Sequence, residues 1–532
     1  MFKPPFKCAE FSQKPSKTTW RTLVEQSLAN ETVEAALTTH TYDGIAIPPL
    51  YDQHDQAKEE QAPLRRIKTE TERARPWNII QLVDIKEPRE ANNQIKHDLA
   101  TGADGVLVSL PSPISFEASG VNLQTKKDIA TLLGDIDLTN KTFCLTNGPS
   151  NFATAAGVLH HLAKTTQDLS SLKGSFGFDP IALFAMTGSC PEKTSPPLAQ
   201  WVDAAHDIQS NNIGLKSFTA SGHLWQLAGA SEAQELAYII ASALAYVRAL
   251  EASGFTVEAS FAAIDLSLTV TNDIFFSIAK CRALRLLWRK IKNASNVSNP
   301  TNIRAEMSYL HMTKADPEMN MLRAVAATLA AGLGTVDALT LRPYTSTNGC
   351  ANAAARRLAL NTQLIAQEES HIGQIEDPTA GSWYIENLTE ALCQKTWEIF
   401  QTIEQAGGML KFLRNGDVKR QIDPIRQARR EDVKMGKTPI IGVTLFPNHE
   451  KQSARCEAEQ PTTPVADQDQ QTISSLAEPD KGELWKALQT HLSEGHTIPS
   501  LSAALSANQT PIEAITLLER LERFADVEGE QP

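Results

Sequence analysis

Residues 354–388, AARRLALNTQLIAQEESHIGQIEDPTAGSWYIENL, decide the fold of this chain. Their first half places apolar side chains at helical spacing among polar ones. Asp377, Pro378 and Gly381 then interrupt that pattern, and the run Trp-Tyr-Ile at 383–385 is typical of a short strand. The stretch therefore predicts a helix, a second polar helix, a turn and a strand. Together they form either a packed functional surface or an ordinary unit of a large α/β domain.

Bulk composition excludes several classes of protein. The chain has 532 residues, of which 42% are hydrophobic and 21% are charged, as in a globular protein longer than one typical domain. Its net charge of -12 argues against sequence-independent nucleic-acid binding, which needs a cationic surface. No apolar run approaches the roughly 20 residues that span a bilayer, and the N-terminus lacks the apolar segment of a secretory signal. We therefore expect neither a nucleic-acid nor a membrane partner.

The cysteines indicate the compartment and argue against a metal site. Seven cysteines are scattered along the chain, and none forms a Cys-x-x-Cys pair, so neither a disulfide framework nor a zinc site is predicted. Glu368, Glu369 and His371 lie close in sequence but do not have the spacing of a zinc protease. A reducing compartment, the cytoplasm, is the expected location.

Short β-rich runs alternate with amphipathic stretches from Pro76 to about residue 390. Such alternation predicts a parallel, buried sheet. With eight units, closure into a TIM-type (β/α)8 barrel is the most economical arrangement, and an open doubly wound sheet is the alternative. The predicted strands are 105–110, 142–146, 175–178, 214–218, 259–264, 302–307, 336–341 and 382–385.

Four regions are predicted along the chain. Residues 1–75 form an extended N-terminal arm and dimerisation segment, and residues 76–450 form the α/β barrel with one further strand-like run at 440–444. Residues 451–481, rich in Gln, Asp, Glu, Pro, Thr and Ser, are typical of a flexible linker. Residues 482–532 form a short helical tail.

Chemistry in a TIM-type barrel takes place at the C-terminal ends of the strands. There the sequence places Asn147, Asp179, His223 and Arg342, among others. This set offers few paired carboxylates and no nucleophile beside a base. A simpler interpretation is that these polar side chains satisfy backbone groups of the loops at the barrel mouth.

Ordered blocks of distinctive sequence run through residues 20–450. They are Asn361-Thr362-Gln363-Leu364-Ile365, Asp377-Pro378, Gly381-Ser382-Trp383-Tyr384, Gly407-Gly408-Met409, the segment AKCRALRLLW at 279–288, Ser221-Gly222, Gln226-Leu227-Ala228-Gly229-Ala230 and Arg75-Pro76-Trp77. Together these blocks resemble the methylmalonyl-CoA mutase family. The resemblance implies a TIM-type barrel that threads the pantetheine arm of a CoA ester along its axis. It also implies a separate cobalamin domain and a radical interconversion of methylmalonyl-CoA and succinyl-CoA.

The departures from that family fall at its reactive positions. Catalytic members carry Tyr-His after the Ser-Gly pair, whereas this chain has His223 and Leu224. Leu224 cannot hydrogen-bond a thioester carbonyl, so the electrostatic stabilisation of the rearrangement is lost. Phe176 stands where the resemblance implies a substrate-facing glutamine, while Arg304 is retained. No catalytic residue is therefore predicted, and the candidate residues at the barrel mouth are His223, Gln226 and Arg304.

The loop tyrosines and the cobalt-binding motif of catalytic members are also missing. Residues 69–74 lack the tyrosines that catalytic members carry in this loop. The family's cobalt-binding motif is Asp-x-His-x-x-Gly, and Asp52-Gln53-His54 is followed by Ala57 in place of the glycine. About 80 residues follow the barrel, fewer than a cobalamin-binding domain usually needs. We expect no cofactor on this chain and adenosylcobalamin in a partner subunit.

Further blocks resemble the non-catalytic small subunit of the heterodimeric bacterial mutase, namely residues 42–45 with 49–51, 316–317 with 320–323, and 337–340. They imply a small subunit that is inactive alone and stabilises a catalytic large subunit in a heterodimer. The alternative is a CoA-ester-binding mutase barrel that is active with a separately encoded cobalamin-binding chain. A regulatory protein that binds a CoA ester is the third hypothesis.

Overall fold

The computed structural model describes most of the chain, and the described residues are 16–28, 31–55, 76–112, 120–166, 168–191, 198–349, 351–447, 480, 482–506, 509–515 and 517. The tyrosine-free loop at 69–74 and nearly all of the predicted linker at 451–481 lie outside them. Among the described helices, none is both long and apolar enough to cross a membrane.

Eight parallel strands close into a barrel, which confirms the predicted TIM-type fold. Each strand pairs with the next along the chain, and Leu339 of the last strand pairs with Ile79 of the first. The strands are β1 (Asn78–Val83), β2 (Gly105–Val108), β3 (Thr142–Leu145), β4 (Lys173–Phe178), β5 (Lys216–Ser221), β6 (Ile264–Val270), β7 (Ile303–Met307) and β8 (Ala338–Leu341).

Helices surround the barrel, and further helices lie before its first strand and after its last strand. They are α1 (Lys17–Ser27), α2 (Val33–Leu37), α3 (Pro88–Ala100), α4 (Lys126–Leu133), α5 (Asn151–Thr165), α6 (Pro180–Thr187), α7 (Ala199–Ser210), α8 (His223–Leu227), α9 (Glu232–Ala252), α10 (Val257–Ala262), α11 (Ile274–Ala294), α12 (Met319–Leu333), α13 (Ala353–Leu364), α14 (Trp383–Gln405), α15 (Met409–Arg414), α16 (Asp417–Lys434), α17 (Glu483–Glu494) and α18 (Ile498–Leu505). A π-helical turn, Ile365–Glu369, continues α13.

The prediction of a strand at 382–385 was wrong, and the missed strand is β1. Ser382 caps α14, because its side chain accepts a hydrogen bond from the backbone N–H of Ile385. Downstream, Leu388 and Leu392 lie buried on one face of α14, which is the periodicity of a helix rather than a strand. The total of eight strands was correct because one false strand replaced one missed strand.

Two smaller predictions also need correction. Residues 259–264 are mostly helix, since α10 ends at Ala262 and β6 begins at Ile264. The strand-like run at 440–444 forms a turn in which Ile441 and Leu445 make one isolated bridge. Thr444 supports this turn, because its hydroxyl accepts a hydrogen bond from the N–H of Ile440 at 2.7 Å.

The barrel interior and the barrel–helix layer form separate cores. The large core lies between strands and helices, whereas a small cluster of inward-facing apolar side chains is independent of it. Leu82 pairs in register with Leu107, and Leu107 with Cys144, so these side chains form a layer across three adjacent strands. The cluster comprises Ile80, Leu82, Leu107, Cys144 and Ala338.

The C-terminal helices pack on the barrel. Trp485 of α17 is fully buried, with its ring 4.9 Å from Phe152 and 5.8 Å from Phe178, centroid to centroid. Asp203 of α7 accepts hydrogen bonds from the backbone N–H groups of Gly482 and Trp485 at the start of α17. The tail is therefore held by both apolar packing and a helix-capping carboxylate.

The described part of the N-terminal arm divides into an exposed part and an attached part. Helix α1 buries none of its residues, and Leu23 is 58% exposed. Tyr42 instead donates a hydrogen bond to Asp432 at 2.9 Å, and its ring lies under the guanidinium of Arg429. Asp43 accepts hydrogen bonds from Ser231 and Ala233 at the start of α9. Residues 42–43 therefore belong to the same packed unit as the barrel.

Candidate functional site

A cavity of about 120 Å³ occupies the upper part of the barrel, at the C-terminal ends of its strands. Its wall combines apolar side chains, including Leu82 and Leu107, with polar groups such as Asn147 and Ser221. The volume is well below the roughly 300–1,000 Å³ that is typical of small-molecule pockets. The site can hold a few water molecules or a very small ligand.

Arg304 lies at the base of this cavity, near the start of β7. Its guanidinium contacts Glu306 at 2.7 Å and Asp265 at 3.4 Å. Burial disfavours its charge, but the Cys144 thiol and these two carboxylates raise the pKa of Arg304 above its usual value. Ser267 donates a hydrogen bond to Glu306 at 3.2 Å. The candidate Arg304 therefore lines the cavity as part of an internal charge network and lies below the barrel mouth.

His223 and Leu224 follow the end of β5 and both line the cavity. The N–H of His223 donates to Ser221 at 3.2 Å, and its Nε2 lies 3.4 Å from Nη2 of Arg342. The Arg342 guanidinium also stacks over the ring of Tyr309, 5.7 Å from its centroid. Leu224 is 9% exposed and presents only an aliphatic surface, so its side chain can neither donate nor accept a proton.

Gln226 lies outside the cavity lining and supports the loop around it. Its Nε2 donates a hydrogen bond to the Ser308 hydroxyl at 2.7 Å, and Ser308 in turn lies 3.0 Å from Nδ1 of His311. Burial, reinforced by nearby Arg429, lowers the pKa of His311 to about 3, so this histidine is neutral at physiological pH. The Gln226 side chain thus fixes the segment after β7.

Phe176, which the resemblance aligns with a substrate-facing glutamine, lies outside the cavity lining. Its ring is stacked on Phe178 at 5.9 Å and lies 6.4 Å from Trp485, in the layer between the barrel and its helices. The next residue, Gly177, lines the cavity instead. Successive residues of a strand point to opposite faces, so Phe176 lies outside the barrel wall and its neighbour lies inside.

Asp179 is a cavity residue that the sequence places at a strand end without indicating a role for it. It is completely buried and accepts hydrogen bonds from the Tyr246 hydroxyl at 2.5 Å and from the N–H of Ser221 at 3.0 Å. Burial raises the pKa of Asp179 to about 6, although the hydrogen bonds favour the carboxylate. The signal in the sequence was Asp-Pro at the start of α6, where Asp179 caps the helix.

The C-terminal segment borders the mouth of the cavity. Residues Gln509–Pro511 pair antiparallel with Ser189–Pro191, and Ile515 donates a backbone hydrogen bond to Ala185 at 2.9 Å. This course brings Leu517 into the cavity lining. The cavity is thus closed in part by residues from the far end of the described chain.

Both carboxylates of the cavity wall, Asp179 and Glu306, are engaged by other side chains, and the described residues of the wall form no nucleophile–base pair. Asp179 accepts from Tyr246 and Ser221, and Glu306 is engaged by Arg304. The cavity itself does not fit a corrinoid, since its volume of about 120 Å³ is far smaller than that of a corrin ring. Arg342 lies beside His223, where its positive charge opposes coordination of a metal cation.

Comparisons with known proteins point to one family. The sequence model of methylmalonyl-CoA mutase matches residues 40–523. A protein of Streptomyces virginiae named methylmalonyl-CoA mutase small subunit is 33% identical over 445 residues, which cover 80% of this chain and 70% of that protein. The like-named protein of Propionibacterium freudenreichii subsp. shermanii is 30% identical over 421 residues, or 77% and 64% of the two chains.

A more distant relative carries the family name without the subunit designation. The methylmalonyl-CoA mutase of Escherichia coli (strain K12) is 26% identical over 453 residues, which cover 80% of this chain and 63% of that protein. The chain therefore spans about two thirds of the length of these relatives.

Proposed function

The chain belongs to the methylmalonyl-CoA mutase family, and from that membership we propose that it is the small, non-catalytic subunit of a cobalamin-dependent methylmalonyl-CoA mutase. In this proposal it stabilises a catalytic large subunit in a heterodimer, and adenosylcobalamin is held by the partner. The names of the relatives from Streptomyces virginiae and Propionibacterium freudenreichii subsp. shermanii, at 33% and 30% identity, support the subunit assignment. Cys144 and Cys281 are buried free thiols, in keeping with a reducing, cytoplasmic location.

The observation that carries the proposal is the filled barrel axis. A CoA ester would have to pass its pantetheine arm along the positions of Leu82, Leu107 and Cys144, each of which is at least 94% buried. At the base of the cavity, Arg304 and its two carboxylates occupy part of the barrel interior. Because protein interiors are close-packed, opening this axis would require several side chains to move together.

The second support is the chemistry of the cavity wall. At position 224 an aliphatic side chain occupies the place where the resemblance implies a histidine, and Gly177 offers no side chain at all. A radical rearrangement of a thioester needs polar groups aimed at the carbonyl oxygen as charge develops there. Neither position supplies one.

A titration with a CoA ester tests the proposal directly. We expect succinyl-CoA, added to the purified chain in an isothermal titration calorimeter, to give no saturable heat of binding up to millimolar concentration. A catalytic mutase subunit from the same genome serves as the positive control. Saturable binding with one site per chain would instead favour the alternative, a CoA-ester-binding barrel that is active with a separate cobalamin-binding chain.

A further inference from the structure

Three potential metal ligands converge at the C-terminal end of α17, away from the barrel cavity. His491 and Glu494 lie one turn apart on the helix, and His496 follows two residues later. Gly495, with a φ of 107°, ends the helix in a left-handed conformation that only glycine adopts readily. The N–H of His496 then donates to the carbonyl of His491 at 3.1 Å, which turns the second histidine back over the first.

The distances between these three side chains are closer to those between the ligands of one metal ion than to those between hydrogen-bonded groups. One ligand atom from each residue lies within 4.8 Å of the other two, and the imidazole rings are T-shaped with centroids 5.0 Å apart. Nδ1 of His491 lies 3.5 Å from Oε2 of Glu494, which is long for a hydrogen bond. Ligand atoms about 2.1 Å from a tetrahedral Zn²⁺ are about 3.4 Å apart, close to the 3.5 Å between Nδ1 of His491 and Oε2 of Glu494.

We propose that His491, Glu494 and His496 bind one divalent transition-metal ion, of which Zn²⁺ has the best-matched ligand preference. Two imidazoles and one carboxylate form a known three-ligand set for zinc, and partial exposure leaves room for water as a fourth ligand. Nδ1 of His491 is itself buried and has no hydrogen-bond partner among the described residues, so a metal would satisfy it.

The position of the site suggests what the ion would do. Trp485, Leu488 and Leu492 of α17 are in the apolar core, as is Ile498 at the start of α18, whose N–H also donates a hydrogen bond to the carbonyl of Gln124. The ion would link the end of α17 to the segment that enters α18. It would therefore hold the two tail helices together, since metal binding to the folded state adds to stability.

Titration of the metal-free, full-length chain with Zn²⁺ tests the site. We expect one equivalent to bind, and we expect the melting temperature to rise on binding. The double variant His491→Ala/His496→Ala should bind at least tenfold more weakly and lose the rise in melting temperature. Co²⁺ in place of Zn²⁺ should give the intense visible absorption of a four-coordinate site.

Two further variants make the test decisive. His54→Ala removes an exposed histidine outside the cluster and should leave Zn²⁺ affinity unchanged. Glu494→Gln keeps the size of the side chain and should weaken binding while the metal-free protein melts as the wild type does. The proposal is overturned if the wild type binds no Zn²⁺, or if the double variant binds it with wild-type affinity.

Discussion

The ion pair between Lys280 and Glu235 is buried on both sides, with each side chain 1% exposed and a separation of 2.8 Å. Thr269 completes the network, because its N–H and hydroxyl both donate to the same carboxylate. Removing only the lysine charge would leave Glu235 buried and uncompensated. The pair therefore affects the free energy of unfolding chiefly when one partner is removed and the other stays buried.

We predict that Lys280→Met lowers the free energy of unfolding by about 3–5 kcal/mol, the range for breaking a buried pair. Urea unfolding followed by tryptophan fluorescence would measure the change. Lys395→Met is the matched control, because Lys395 pairs with Glu398 on the surface, where exposed pairs contribute about 1 kcal/mol or less. Equal effects of the two variants would contradict the prediction.

Asp179 gives the stability of the protein a pH dependence with a definite sign. Burial raises its pKa in the folded state to about 6, whereas an unfolded aspartate titrates near 4. Between these values the folded state holds a proton that the unfolded state has released. The contribution of Asp179 to stability is thus complete below pH 4 and is lost as the pH rises through 6.

We expect the wild type to lose about 3 kcal/mol of stability from this residue between pH 4 and 6, since one pKa unit corresponds to about 1.4 kcal/mol. Asp179→Asn cannot ionise and should lack this component. The pKa of Asp43 is also raised to about 6 by burial, but that residue is common to both proteins and cancels. Parallel pH profiles of urea unfolding for the two proteins would refute the assignment.

Single residues also show where sequence reasoning reached its limit. The departure at Leu224 could be identified from sequence, because the preceding Ser-Gly pair fixes the alignment, and Leu224 does line the cavity. Phe176 could not be placed, because a shift of one position along a strand moves a side chain to the opposite face. Gly177, which faces the cavity, carries no side chain and so gave no chemical signal.

At the scale of secondary-structure elements, neighbouring sequence signals favoured different structures. The aromatic run at 383–385 favours a strand, yet Ser382 is a helix cap and the following apolar residues have helical spacing, so the longer-range pattern prevailed. The strand Asn78–Val83 was missed although its residues from Ile79 to Val83 are buried on both faces of the sheet. The run from Ile79 to Val83 is apolar except for Gln81, so it does not show the alternation that identifies a half-exposed strand.

The N-terminal arm provides a prediction at this scale. Helix α1 is exposed along its length, whereas Tyr42 and Asp43 are bound to the barrel of the same chain. We predict that deleting residues 1–31 leaves the melting temperature within a few degrees of the wild type. The same deletion should greatly reduce co-purification with a tagged catalytic mutase subunit, because exposed apolar side chains such as Leu23 are costly without a partner.

The matched comparison is a deletion that extends through residue 51. This longer deletion removes the contacts of Tyr42 and Asp43 and should also lower the melting temperature. Complex formation at the wild-type level after loss of residues 1–31 would show that the arm does not contact the partner.

At the scale of the whole molecule, the fold was predictable because strand–helix alternation repeats eight times and constrains closure. Whether side chains fill the barrel axis could not be predicted, because this depends on which side chains of adjacent strands meet. Leu82, Leu107 and Cys144 come from segments 25 or more residues apart and form one layer only when register is fixed. The barrel keeps its eight-stranded architecture, but side chains fill its axis. This combination is the structural basis for assigning the chain a supporting role.

The most direct measurement of that role is methylmalonyl-CoA turnover in the presence of adenosylcobalamin. The purified chain alone is predicted to give no conversion to succinyl-CoA above the rate without protein. Adding the chain to a catalytic mutase subunit from the same genome is predicted to raise the activity or the thermal stability of that subunit. Robust turnover by this chain alone would contradict the assignment of a non-catalytic subunit.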